Sequence, residues 1–393
     1  MGEKGTVMKA SVILVIFLVL GMNASIGVGG ELGKNDIGIE KRVRMLNKPY
    51  VTYFKTEGRD RFDCVEIHKQ PAFDHPLLKH HILQLKPSLA LRESWNTSET
   101  PEVYKSMKGC PEGTVPIRRT SKEDLLRARN IAPVYMTKST APYDGNLYSM
   151  VLIHERNQRY YGVEALMDVY NISDIKADQI STAQVLLTKG DGGPRNYINT
   201  IQFGWGVDYV LNGDFNTRLF VFWTSDGYQH KGCSNTLCPG WVQTSKRFAP
   251  GMILPTGNSI VKLSLRRDPA RLDWWIAISM NGINDELMGY FPHEIFNNLA
   301  DSDKIELGGI VYSPSNEKIA PPMGSGVRPN AFGGACEFKQ VAYMSGNGIF
   351  HPPADGSVET FNSNPHLYGI GQPENQGGNN GYVFSFGGPG GNV

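Results

Sequence analysis

Apolar and polar positions alternate along "INTIQFGWGVDY", residues 198–209. Ile201, Phe203, Trp205 and Val207 fall on one side, and Thr200, Gln202, Gly204 and Gly206 on the other. A period of two predicts a half-buried strand. Its small neighbours predict that Gln202 looks into a groove. From about residue 145 the pattern recurs in "NLYSMVLIHE", "YYGVEALMDVYN", "STAQVLLTK", "RLFVFWTSDGY", "SIVKLSLRRD", "DWWIAISMN" and "KIELGGIVYS". Turn signals such as "NGD", "SDG" and "PTGN" separate these runs, and a last strand, "YVFSF", lies in a Gly/Asn-rich tail. Many short strands at this spacing predict an all-β fold of two packed, mostly antiparallel sheets, a β-sandwich.

The N-terminal third reads differently. Residues 31–135 are rich in Lys, Arg, His and Glu, and "SKEDLLRARNI" predicts a helix capped by Ser121, with Glu123 and Asp124 in its first turn. Before them, Lys4 and Lys9 precede the apolar run "SVILVIFLVLGM" and the small residues of "NASIGVGG". That run falls short of the roughly 20 residues a bilayer span needs. Residues 1–30 are therefore expected to be a signal peptide. The mature chain is expected outside the cell, in the cell wall or in the vacuole, with no membrane attachment.

Composition narrows the function. The formal net charge of +1 over 393 residues offers no concentrated basic surface, which argues against a nucleic-acid partner. In an oxidising compartment five cysteines imply pairing with one left over. Cys233 and Cys238 are close enough to clip a loop, Cys64 and Cys110 can pair across the N-terminal region, and Cys336 remains as the free thiol. No spacing matches a zinc site, and neither metal nor cofactor is expected. The sequons at Asn96 and Asn171 fit a secreted glycoprotein. There is no Walker loop, no HExxH and no G-x-S-x-G elbow. Any chemistry must come from carboxylates or amides on the sheet.

Two long stretches carry a family resemblance. "DCVEIHKQPAFDHPLLKHHILQLKPS", residues 63–88, resembles the activation-peptide signature of plant neprosin-type proteins. "NTIQFGWGV", "RLFVFWTSDGYQHKGCSNTLCPGWVQTS", "RRDPARLDWWIAI", "MGYFPHEIF", "IELGG" and "MGSG" are similar to the neprosin catalytic domain. The resemblance implies a secreted glutamic endopeptidase that cuts after proline and matures from a zymogen. Residues 31–135 would then be the propeptide and residues 136–393 a catalytic-type domain of two packed sheets. It also implies the Cys233–Cys238 pairing.

Two glutamates facing each other across the cleft carry catalysis in that family. The matching positions here are Gln202 and Ile310, and both are departures. A third is His366, where relatives carry a cysteine that pairs with the equivalent of Cys336. Hydrolysis by a carboxylate pair needs one member ionised and one protonated. Glutamine can still orient a water or donate to an oxyanion, but isoleucine offers neither proton nor hydrogen bond. Glu306 shares the strand face of Ile310 at about 13 Å along the strand, too far for the same water. The reading that follows is a pseudopeptidase that binds proline-containing or extended peptides without cutting them. The alternative is an active prolyl endopeptidase working at acid pH. Cleft candidates are Tyr228, Tyr312, Trp223, Trp275 and Glu306, because aromatic faces suit a proline ring.

Overall fold

The computed structural model describes residues 38–88, 109–128, 145–280 and 285–393, apart from positions 57, 59, 156, 315, 331, 332 and 355. The expected signal peptide, the Asn96 sequon and the boundary expected at residue 135 lie outside these residues. Among the described residues no helix is long and apolar enough to cross a membrane.

In chain order the strands are β1 (Thr52–Lys55), β2 (Arg61–Glu66), β3 (Thr114–Arg118), β4 (Asn146–Ile153), β5 (Gly162–Val169), β6 (Ile180–Lys189), β7 (Asn199–Asp208) and β8 (Arg218–Thr224). Next come β9 (Gly232–Ser234), β10 (Val242–Gln243), β11 (Ser259–Arg267), β12 (Trp274–Met280), β13 (Glu286–Phe291) and β14 (Lys304–Tyr312). The last are β15 (Ile319–Ala320), β16 (Cys336–Met344), β17 (Phe350–His351), β18 (Val358–Asn362), β19 (Gly369–Ile370), β20 (Glu374–Gly377), β21 (Gly381–Gly387) and β22 (Gly391–Asn392).

One sheet of seven strands runs β18-β4-β14-β6-β7-β8-β9. A second, of ten, has the path β10-β13-β12-β11-β5-β16-β21-β19, with β17 and β20 paired off it. Every pairing is antiparallel in β7 and its neighbours, so the expected sandwich is what forms.

Alternation builds the core. Ile201, Phe203, Trp205 and Val207 of β7, Val185 and Leu187 of β6, and Ile305 and Leu307 of β14 pack against Val163 and Met167 of β5 and Leu263 and Leu265 of β11. Trp205 ties the sheets together by donating its indole N–H to the Asp168 carbonyl oxygen at 2.9 Å. Trp223 and Trp274 lie in the same core. Trp223 is thus not a cleft residue: its odd position on β8 turns it inward, like Leu219 and Val221.

The N-terminal region forms its own sheet, β1-β2-β3, stapled by Cys64–Cys110. Ser121 caps the helix Lys122–Ala128 as expected: its Oγ accepts from Asp124 N at 3.0 Å, and the Asp124 carboxylate accepts from Ser121 N at 2.7 Å.

Residues 67–88 latch this region to the edge of the ten-stranded sheet. Buried Gln70 pairs with the Gln243 backbone, accepting from its N–H at 2.7 Å and donating to its carbonyl at 3.1 Å. Ala72 and Phe73 cover Trp275 and Tyr290. Trp275 therefore lies under the activation-peptide segment, on the face of β12 away from the core, and not in a cleft. His81 bonds Glu294 at 2.9 Å and the Tyr290 hydroxyl at 2.8 Å.

A second attachment is ionic. Arg218 of β8, 1 % exposed, reaches Asp60 at 2.6 Å through Nη1, which also donates to the Gly251 carbonyl at 2.6 Å, and it pairs with Asp214. Removing a buried cation leaves carboxylates uncompensated. Arg218→Met should lower unfolding free energy by about 3–5 kcal/mol, measured by denaturant titration.

Acid should loosen the latch. Burial pushes Asp268 and Glu294 up, but hydrogen bonds from Ser88 to the first and bonds and charge from His81 to the second outweigh it, and both carboxyls titrate below their ordinary range. A depressed carboxyl stabilises the fold above its unfolded pKa and loses that contribution as pH falls through its folded value. Asp273 opposes this, because burial raises it despite bonds from His293. With two carboxyls against one, hydrogen exchange at residues 67–88 should accelerate, relative to the core strands, once pH falls below about 4.

Candidate active site

The even positions of β7, β6 and β14 face away from the core, and the ladder aligns them in rows. Gln202 stands opposite Leu186, and Leu186 opposite Glu306. Gly204, Gln184 and Gly308 form the next row, and Gly206, Thr182 and Ile310 the one beyond. Gln202 and Glu306 are therefore two strands apart in one row, about 10 Å between backbones. Gln202 turns toward Tyr228, on the β8 side, and Glu306 toward Lys304.

Ile310 is displaced from Gln202 by the same two strands and by four residues of rise, about 16 Å in all. A side chain of any kind at 310 is out of reach of a water shared with Gln202. The carboxylate opposite Gln202 is Glu306, so the 13 Å between Glu306 and Ile310 does not remove Glu306 from the site. Ile310 is half-buried and packs beside Tyr148, Met150 and Phe361. Tyr312 lies two residues further out, in the row of Ile180 and Asn146, away from Gln202.

Tyr228 is brought in by the loop after β8. Gln202 Nε2 donates to the Tyr228 hydroxyl at 2.5 Å, and the tyrosine ring stacks on Phe222 at 5.7 Å. The "TSDGY" run explains the placement. The Asp226 carboxylate accepts from the backbone N–H groups of Gln229, His230 and Lys231 at 2.8–3.1 Å, and Gly227 takes φ +62° where a Cβ would meet the Arg195 carbonyl oxygen at 2.6 Å. Tyr228 itself holds φ +64°, an uncommon conformation for a bulky residue that its surroundings must enforce.

Gln202 is 1 % exposed and its Oε1 has no hydrogen-bond partner. Glu306, 6 % exposed, pairs with Lys304 Nζ at 3.0 Å, and Lys304 also pairs with Asp191. Burial would lower the Lys304 pKa, yet the charges of Glu306 and Asp191 and its bonds to them raise it. A cavity of about 500 Å³, lined by Leu152, Lys304, Asp191 and Glu359 among others, opens at this end of the sheet.

The glycines serve the backbone more than the groove. A Cβ at Gly204 would lie 2.1 Å from the Ala183 carbonyl oxygen, and one at Gly308 would lie 2.2 Å from that of Ser149. Their φ values of +157° and +146° also favour glycine.

Among the described residues, His81, Asp273 and Glu294 bring donor atoms within 4.8 Å of one another. His81 Nδ1 lies 2.9 Å from the Glu294 carboxylate and its Nε2 2.8 Å from the Tyr290 hydroxyl.

The neprosin family model matches residues 177–389, which contain the whole Gln202–Leu186–Glu306 row. The chain belongs to the neprosin family. The neprosin activation-peptide model matches residues 53–163, spanning the latch and extending over β4. Among solved structures the chain is similar to a Scytalido-glutamic peptidase bound to a peptide-based transition-state analogue, at 14% identity and a TM-score of 0.36. A second is SCP-B of the eqolisin peptidases, complexed with the tripeptide Ala-Ile-His, at 13% identity and 0.33. Each likeness covers 62% of this chain and 98% of the other.

In this neprosin-family chain the cysteines pair as expected, Cys64–Cys110 and Cys233–Cys238, leaving Cys336 free and buried. Burial pushes the Cys336 thiol well up. Thiol labelling at neutral pH should find no reactive cysteine in the native protein and one after denaturation, counted by intact mass. Asn171 is exposed, as a glycosylated sequon requires.

Proposed function

We propose that this protein is a secreted peptidase that hydrolyses extended, proline-containing chains, with Glu306 and Gln202 as its reacting pair. The observation that carries this reading is the row Gln202–Leu186–Glu306, a carboxylate and an amide on one sheet face, two strands apart. Glu306 would take a proton from that water and later return it to the leaving amine, one carboxylate acting in two successive steps. Gln202 carries two amide protons. Tyr228 accepts one, and the other would be aimed at the oxyanion as the carbonyl becomes tetrahedral. Lys304 and Asp191 would hold the Glu306 carboxylate in place. Phe222 and Tyr228 would offer flat apolar surface to proline. A signal peptide, an extracellular or vacuolar location and a glycan at Asn171 belong to the same proposal.

The binding-only reading rests on Gln202 and Ile310 standing where the family resemblance expects glutamates. One assay separates the two: incubation of the purified protein with a proline-containing peptide from pH 3 to 7, read by mass spectrometry. Cleavage is expected. Glu306→Gln should cut kcat by about 10²–10⁴-fold, and Gln202→Ala by about 10²–10³-fold. Ile310→Ala should leave kcat within a few-fold. Binding without cleavage in the unmodified protein would establish the pseudopeptidase instead, and a large loss from Ile310→Ala would return the site to position 310.

A further inference from the structure

A third amide lies beside the reacting pair. Gln184 sits on the outward face of β6, 3 % exposed, and its Oε1 has no hydrogen-bond partner. Its neighbours across the ladder are Gly204 on one side and Gly308 on the other. Neither neighbour in its row carries a side chain, so nothing in that row can satisfy it. A buried acceptor without a donor opposes folding, so a donor that reaches this oxygen from outside the sheet is stabilising.

The lattice of the sheet places that donor. Gln184 is one strand and two residues from both Gln202 and Glu306, about 8 Å from each backbone. An extended chain presents N–H groups on one side at intervals of two residues, about 7 Å. A peptide laid along β6, with its scissile carbonyl over Leu186, brings a backbone N–H over Gln184. Proline has no N–H, so where proline precedes the scissile bond that donor belongs to another residue of the substrate.

We propose that Gln184 is a substrate-binding residue, its side-chain oxygen accepting a hydrogen bond from the backbone N–H of an extended peptide. The peptidase reading supplies only the position of the scissile bond, and the bond to Gln184 requires no cleavage. The glycine pair then has a second use, since any side chain at 204 or 308 would stand between the peptide backbone and the amide.

The test uses the full chain carrying Glu306→Gln, with and without Gln184→Leu. Its probes are a fluorescent proline-containing hexapeptide and its single-ester analogues, in which one N–H at a time is replaced by oxygen. One ester should weaken binding about tenfold to the Gln184 protein. Gln184→Leu should weaken the all-amide peptide to the same degree, and that ester should then cost nothing further. Thermal stability should be unchanged or higher in Gln184→Leu, because the lost acceptor has no partner in the native chain. No measurable hexapeptide binding, an ester penalty that persists in Gln184→Leu, or no penalty at any position would overturn the proposal. So would a marked fall in thermal stability, which would make the amide structural. Absent hydrolysis by the unmodified chain, with the ester coupling intact, would overturn the reacting pair and support the peptide site.

Discussion

The antiparallel ladder β7–β6–β14 is the constraint on which the site depends. Its odd positions are committed to the core, so a slip of one residue would expose Phe203 and Trp205 and bury Gln202 between the sheets. A slip of two keeps every face, and burial alone does not forbid it. The glycines do. Where Gly204 meets the Ala183 carbonyl and Gly308 meets that of Ser149, there is no room for a Cβ, and a slip that brought Gln202 into that position would collide. The first approach holds β7 on β6 and the second holds β14 on β4, while β14 is set against β6 by the ladder that runs from Lys304 to Tyr312.

Polar groups do a different job at the N-terminal attachment. Gln70 imitates a strand neighbour of β10, Asp60 neutralises an arginine that would otherwise be buried without enough charge, and His81 closes a network with Glu294 and Tyr290. Each contact leaves an unsatisfied group behind when it breaks. Apolar contact adds to these, with Ala72 and Phe73 on Trp275 and Tyr290, Phe62 against Ala249 and Met252, and Leu78 within the main core. An attachment of this composition is sensitive to charge, whereas the Trp205-centred core is not.

Much was legible in the sequence, because it depends on neighbours along the chain. Period-two alternation identifies β7 as a strand and assigns Gln202 to its outer face. Ser121 with Asp124 three residues on announces the helix cap, and the short spacing of Cys233 and Cys238 announces their loop. The same rule, carried through, separates Trp223 and Trp275 from the cleft, since both occupy alternate positions that turn away from it: Trp223 into the core, Trp275 outward under Ala72.

What alternation cannot supply is register, because a period of two repeats identically at every even shift. The sequence by itself determined that Gln202 lies on the outer face of its strand and that Glu306 and Ile310 share one face of theirs. Only the tertiary structure decided which of them stand opposite one another, setting Glu306 and not Ile310 in the row of Gln202, and Gln184 between two glycines. The physical reason is that strand pairing is settled by contacts between segments far apart in the chain, here the ladders of β14 on β6 and of β6 on β7, and no local pattern encodes the distance between two strands.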